Sequence, residues 1–307
     1  MWYSGRQPGI EREKDKRRAC RREHNVMSRK MKDAVAYTAI YFAASYSVLL
    51  LVGILVYVFA KGFPVLSLPF FTTVSSVVKG TVGIAGNIIN TVYIVTLTLV
   101  AAVPAGVGAA IWLNEYAPPG RWVKLIEFAT ETLAGIPSIV FGLFGMVFFG
   151  TTLGFGYSIL TGALTLSLMI LPLITRNTQA ALRAVPDSYR NGALGMGATR
   201  WHMIRTVLLP SAMPGIATGI LLAVGRIVGE SAALLFTAGS GYLLPECGSD
   251  FFHKVMESGG TLTIQMYLSM ARAEYDVAFG IAAVLLSMVL AFNFLLKVLI
   301  RGRFIKE

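Results

Sequence analysis

The sequence predicts an all-α polytopic membrane protein with six transmembrane helices. Composition is the first reason: 55% of the 307 residues are hydrophobic and only 14% are charged, where an average soluble domain carries about 25% charged residues. The second reason is the length of the charge-free windows. A helix needs roughly 20 apolar residues to cross ~30 Å of hydrocarbon, and a charge at that depth is costly, so uninterrupted neutral stretches mark spans. Windows this long exclude barrel strands of about 10 residues.

Residues 34–60 contain no Asp, Glu, Lys or Arg and predict the first span. Residues 80–114 are also neutral and hold a glycine-rich entry followed by a second span over 87–114. The neutral window 132–175 is too long for one helix. Gly150, Thr151, Thr152, Gly154 and Gly156 near its middle predict a tight turn, so the third and fourth spans are placed at 123–149 and 156–175. The fifth is expected over 207–236 and the sixth over 277–299, with a loop at 176–206 between the fourth and fifth. Pro104 and Pro137 fall inside spans, where each removes a helix hydrogen bond and can kink the rod. Gly106, Gly108, Gly135, Gly142 and Gly145 let neighbouring helices approach; plain packing and a moving gate both use such residues.

Ahead of the spans, residues 1–33 hold eleven Lys and Arg among mixed charges. This composition predicts a disordered basic tail able to touch anionic headgroups. The 27-residue apolar window after it exceeds a signal-peptide core of about 7–15 residues, which argues against a secretory signal. Met27 offers an internal start. Lys and Arg number 22 on alternate flanking segments, which include both ends of the chain and residues 176–205, against 4 on the other segments. The positive-inside rule then puts both termini and the 176–205 segment in the cytoplasm. It also accounts for the net charge of +11 without nucleic acid. Cys20 and Cys247 lack a CxxC partner, and His24, His202 and His253 are scattered, so no metal site or disulfide framework is expected.

A long polar interruption in the carboxyl half runs from Ala184 to Pro210. Pro186 suits the first turn of a short helix. Gly192, Ala193, Gly195 and Gly197 leave one surface nearly bare, and Thr199 can cap a second helix carrying Arg200, Trp201, His202 and Arg205. The expected product is an L-shaped elbow with a smooth patch for another chain; an interfacial helix without a partner is the alternative.

Arg226 and Glu230 are four apart in the fifth span, which places them on one helix face. A guanidinium lining an anion path, held by its carboxylate, is one reading, because the planar fork suits phosphate; a structural ion pair is the other. Arg176 is a second basic candidate, or an ordinary interfacial anchor. Glu127 and Glu131, also four apart, read as charges near a helix N-terminus.

Asn191-Gly192-Ala193, three residues, Gly197, nine residues, Val207, one residue, Leu209-Pro210 resembles the EAA loop of ABC importer permeases, with Asn191 in place of the usual Glu, Gly192 for Ala and Val207 for Ile. The segments Pro104–Ala117, Leu133–Gly142, Arg176–Pro186 and Gly225–Ala232 resemble signatures of phosphate importer permeases, the PstA type more than the PstC type. The resemblance implies a type I ABC importer permease fold with a cytoplasmic coupling helix, in the cell (plasma or inner) membrane. It implies that Arg190, Asn191, Gly192, Ala193, Gly197, Thr199 and Pro210 engage a dimer of ATP-binding subunits of PstB type. It further implies a second, PstC-like permease, an extracytoplasmic PstS-like phosphate-binding protein, and a substrate path using Arg226, Glu230 and Arg176. Sulfate or molybdate import is the rival cargo, and a secondary transporter or channel the rival class. No lysine follows a glycine anywhere, so the chain has no P-loop to cradle nucleotide phosphates. The chain is accordingly not expected to be an enzyme by itself or to hold a cofactor, ATP and Mg being handled by the partner subunit.

Overall fold

A computed structural model of the chain describes residues 8–76, 81–118, 120–242 and 251–304. Cys247 and residues 1–7 lie outside these. The chain divides into two units, Met1–Tyr57 and Val58–Glu307.

The first unit is helical: α1 runs Pro8–Gly62, its last residues belonging to the second unit. The helix includes residues 8–33, where the composition led us to expect disorder. The sequence supplies a reason. Between Ile10 and Val52 there is no Gly or Pro, and Glu, Lys and Arg, which dominate the basic stretch, are strong helix formers. From residue 34 onward the helix is apolar on all sides and exposed, as with Phe42 and Leu49, the pattern of a lipid-facing span.

In the second unit, α2 (Leu68–Thr72) leads into a small antiparallel hairpin, β1 (Val74–Ser76) and β2 (Thr81–Ile84), an element absent from the sequence-based expectation. A bundle follows. Helix α3 (Ala85–Ile111) packs along α6 (Ile159–Arg183), and α6 packs along α9 (Leu209–Gly229). Hydroxyls stitch the first pair: Thr98 donates to the Ala163 carbonyl and Ser167 to the Thr98 carbonyl, each at 3.3 Å. Small residues bring the second pair together. A Cβ on Gly215 or Gly219 would lie 2.6 Å from Ala181 or Asn177, the small-xxx-small contact of membrane helices. Buried apolar residues from Ile94 and Ala102 through Ile170 and Ile174 to Ala223 and Ile227 form the main core.

The third span does not form a single rod. Helix α4 (Arg121–Gly135) and α5 (Ser138–Gly145) meet at 100°. Pro137 cannot donate its missing N–H and forces Ile136 out of the helical region, to ψ 133°. The bend lays α5 along α10 (Ala232–Thr237), where a Cβ on Gly142 would lie 2.8 Å from the Ala233 backbone. Of the glycines expected to pack closely, Gly106, Gly142 and Gly145 do, against Ile174, Ala233 and Thr165; Gly108 and Gly135 border open space. Among the described residues, five helices are long and apolar enough to cross a membrane, six if the bent α4–α5 pair counts as one span.

The fifth span also breaks earlier than expected, because α9 ends at Gly229 and α10 is a separate helix. Conversely α6 continues to Arg183, so Arg176 is helical and the connector to α7 (Asp187–Gly195) is short. No Gly or Pro lies between Leu173 and Val185 to stop α6. Beyond α10 come α11 (Phe251–Val255), α12 (Leu262–Ala271) and α13 (Tyr275–Phe304).

Candidate functional site: an elbow and a polar cleft

Between α6 and α9 the chain folds as an L. Pro186 precedes α7 with ψ 143°, and Asp187 sits in its first turn. Helix α7 ends near Gly195, and Gly197 takes φ +84°, a conformation that favours glycine. Thr199 then caps α8 (Arg200–Met203), its hydroxyl accepting from the His202 N–H at 3.3 Å. A π-turn over Ile204–Leu208 carries α8 into α9, so Pro210 lies inside a continuous run from Arg200 to Gly229 rather than at a break. The wider turn tolerates the N–H that Pro210 lacks.

A small core holds the elbow from beneath: Leu182, Val185, Ala193, Met203, Ile204, Leu208, Ala212 and Ile216. Ala193 belongs to that core and is buried, so it is not on the open face. Asn191, Gly192 and Gly197 are exposed, and a Cβ at Gly192, Gly195 or Gly197 would meet nothing within 4 Å. Around this bare patch stand Tyr189, Leu194, Met196 (86% exposed) and Trp201, all solvent-facing apolar groups.

Arg190 points inward instead. Its Nη2 donates to the Leu182 carbonyl at 2.8 Å and its Nη1 to the Val185 carbonyl at 2.9 Å. The Leu182 carbonyl, in the last turn of α6, also accepts from the Val185 N–H at 3.3 Å, and Val185 lies just past the helix end. Nη1 also reaches Asp187 Oδ1 at 3.0 Å, while Nε and Nη2 reach Glu115 Oε1 at 3.3 and 3.2 Å. Glu115 lies in the π-turn Trp112–Tyr116 that ends α3, so one guanidinium ties three elements together. The sequence reading missed Glu115 as a functional residue; its only signal was its place in the Pro104–Ala117 signature.

Beside the elbow a polar cleft of about 370 Å³ opens between α4 and α6. Glu131 pairs with Arg176 at 2.7 Å and Glu127 with Arg183 at 3.1 Å. The two carboxylates are thus ion-pair partners across the cleft and not helix-start charges; α4 begins at Arg121, more than a turn earlier.

Arg226 and Glu230 do not share a helix face. Glu230 has left the helix, with ψ 124°, and its carboxylate accepts from the Ala233 N–H at 3.2 Å, capping α10. Its carbonyl accepts from the Thr263 hydroxyl at 3.0 Å. Arg226 is exposed in the last turn of α9, and among the described residues it forms no ion pair with Glu230.

On the far side from the elbow, Asn87 and Asn90 on α3 donate to the Gly260 and Gly241 carbonyls at 2.9 and 3.0 Å. Buried Lys254 donates to Glu257 Oε2 at 3.1 Å. This hydrogen bond, with a smaller contribution from His253, holds the Glu257 carboxyl below the usual carboxylate range.

A bent α4–α5 pair, a broken α9–α10 and a small-faced elbow are set in an all-α polytopic membrane bundle. The fold matches a chain of a bacterial alginate ABC transporter, solved with an alginate pentasaccharide-bound periplasmic protein, at TM-score 0.63 and 17% identity over 88% of this chain and 96% of that one. The binding-protein-dependent transport system inner membrane component family matches residues 102–302, and the chain belongs to it. The probable ABC transporter permease protein YqgI of Bacillus subtilis is 41% identical over 69% of this chain and 72% of its own length. The phosphate transport system permease protein PstA of Xylella fastidiosa is 37% identical over 70% and 75%.

Proposed function

We propose that the chain is a transmembrane permease subunit of an ATP-driven importer of inorganic phosphate. It pairs with a second, similar permease to enclose the path, receives phosphate from an extracytoplasmic binding protein, and is driven by two copies of a separate ATPase. The elbow and both termini face the cytoplasm, as the basic flanks require. ATP and Mg belong to the ATPase.

The observation that carries this reading is the elbow. A face with no side-chain bulk at Gly192, Gly195 and Gly197, rimmed by exposed Met196 and Trp201, fits a groove on another protein. The Arg190 clamp on α6 and Glu115 turns that face into a rigid lever on the bundle. Motion of the ATPase then reaches α6 and α9 without being absorbed locally. ATP binding has to favour one bundle arrangement by several kcal/mol to switch it decisively. Phosphate as cargo is supported by the likeness to PstA relatives and by the basic groups Arg176 and Arg226.

The test is uptake of radiolabelled phosphate into vesicles bearing the complete importer. The expected result is uptake that needs ATP and the binding protein, and that excess sulfate leaves unchanged. Sulfate or molybdate taken up in preference would replace the cargo, and uptake without any ATPase would replace the class.

A further inference from the structure

Three polar contacts extend the Arg190 clamp beyond the elbow. Glu115 Oε1, which accepts from Arg190 Nε and Nη2, also accepts from Asn114 Nδ2 at 2.6 Å. Asn114 Oδ1 accepts from Arg183 Nε at 3.4 Å, and Arg183 Nη2 donates to Glu127 Oε1 at 3.1 Å. An unbroken line therefore runs from α7, through the π-turn that ends α3 and the last turn of α6, to α4. Asn114 is the one neutral link in it. It stands between a carboxylate and a guanidinium, and an amide suits both, its NH2 donating to the first and its oxygen accepting from the second. Turned over, each end would meet its like, so one orientation fits. Helix α4 depends on such contacts. None of its residues is buried. Among the described residues, the ion pairs Glu127–Arg183 and Glu131–Arg176 are its polar side-chain links to other elements. At its far end Ile136 and Pro137 turn the chain into α5, which lies along α10 at Gly142 and Ala233.

We propose that Asn114 and Arg183 are positioning residues that lock α4 to the elbow, so that ATPase-driven motion of the elbow swings the Pro137 corner and shifts α5 against α10. This rests on the reading that a separate ATPase grips the elbow, and it adds the residues by which the motion leaves it. The displaced helix, α10, is the one that the Glu230 carboxylate caps, so the movement arrives beside the proposed path. Exposed ion pairs contribute little to stability; what this line of contacts supplies is position. Arg183 serves two partners at once, Nε on the Asn114 oxygen and Nη2 on Glu127, and its planar fork fixes the angle between them. A lysine there would offer a point charge with no such geometry.

The experiment measures a distance in the complete importer, held in lipid nanodiscs, between spin labels at Ser188→Cys on α7 and Lys124→Cys on α4. Both positions are exposed, and Cys20 and Cys247 are first replaced by serine. The distance should be the same without nucleotide and with ATP trapped by vanadate, because the two helices move as one. In Asn114→Leu it should differ between the two states. Phosphate taken up per ATP hydrolysed should then fall about tenfold, the size of one hydrogen bond to a charged group, while the ATPase still co-purifies with the chain. Asn114→Asp should act likewise, since its carboxylate meets that of Glu115. Combining Asn114→Asp with Glu115→Gln exchanges amide and carboxylate: the new amide donates to the new carboxylate, and each arginine again faces an oxygen. The constant distance and the coupling should both return, a recovery that a mere loss of folding would not show. A nucleotide-dependent distance in the unaltered importer, or a constant one in Asn114→Leu, would overturn the proposal, as would an exchange that recovers nothing. If the ATPase binds the chain and any of these results fails, the lock alone falls. If the ATPase does not bind the chain, the elbow reading falls with it.

Discussion

Arg190 on the elbow and Glu115 at the end of α3, 75 positions apart, meet through two nitrogens on one carboxylate oxygen at 3.2 and 3.3 Å. Both side chains are largely covered, at 16% and 9% exposure. Removing one partner leaves the other charge partly buried, and losing Arg190 also takes a donor from the Leu182 and Val185 carbonyls. Arg190→Ala should therefore destabilise the purified complex by about 2 kcal/mol or more, read as a drop in melting temperature, and should uncouple ATP hydrolysis from uptake. Unchanged melting and coupling would show that the clamp does not stiffen the elbow.

Glu230 caps α10, and its separation from Arg226 predicts that the two act independently. Glu230→Ala should cost about 1 kcal/mol of stability, as a lost helix cap does. Arg226→Gln, a change in the proposed path, should abolish uptake with assembly intact. A double-mutant cycle on stability should give a coupling within about 0.5 kcal/mol of zero; a larger value would restore the ion pair.

At Gly142 the α5–α10 contact leaves no room for a side chain, since a Cβ would stand 2.8 Å from the Ala233 backbone. Gly142→Leu should destabilise by about 1–3 kcal/mol through overpacking, whereas Gly108→Leu, bordering open space, should be tolerated. Comparable melting temperatures for the two would contradict the packing.

Glu257 gives the loop between α10 and α12 a pH dependence. Its carboxyl is held low, chiefly by the Lys254 hydrogen bond, so folding favours its ionised form. That stabilisation is complete above the ordinary carboxylate pKa and is lost as pH falls through the depressed folded value. Hydrogen exchange at Met256–Gly259 should accelerate in acid, and Glu257→Gln should remove the dependence while leaving neutral-pH exchange faster than in the unaltered chain.

The spans were legible because lipid punishes charge over a whole helix length, a signal as long as the element itself. Hydropathy cannot report direction, so the 100° corner at Pro137 read as a kink within one span. Arg226 and Glu230 looked like an i,i+4 pair because their spacing carries no sign that Gly229 ends the helix. The elbow was legible locally: Pro186, Gly197 and Thr199 each impose their own turn or cap. Its fastening was not, because Glu115 meets Arg190 only through the packing of α3 on α6. The cleft was hidden for the same reason, with Glu127 and Glu131 finding their arginines on a different helix.

The proposed grip of a separate ATPase on the elbow is tested most directly by affinity purification of this chain with its neighbours, before and after Gly192→Trp. Gly192 is exposed and its Cβ position is open, so the variant should melt at the same temperature. The ATPase should co-purify with the unaltered chain and be lost from the variant. Full retention of the ATPase by a correctly folded Gly192→Trp chain would contradict the account.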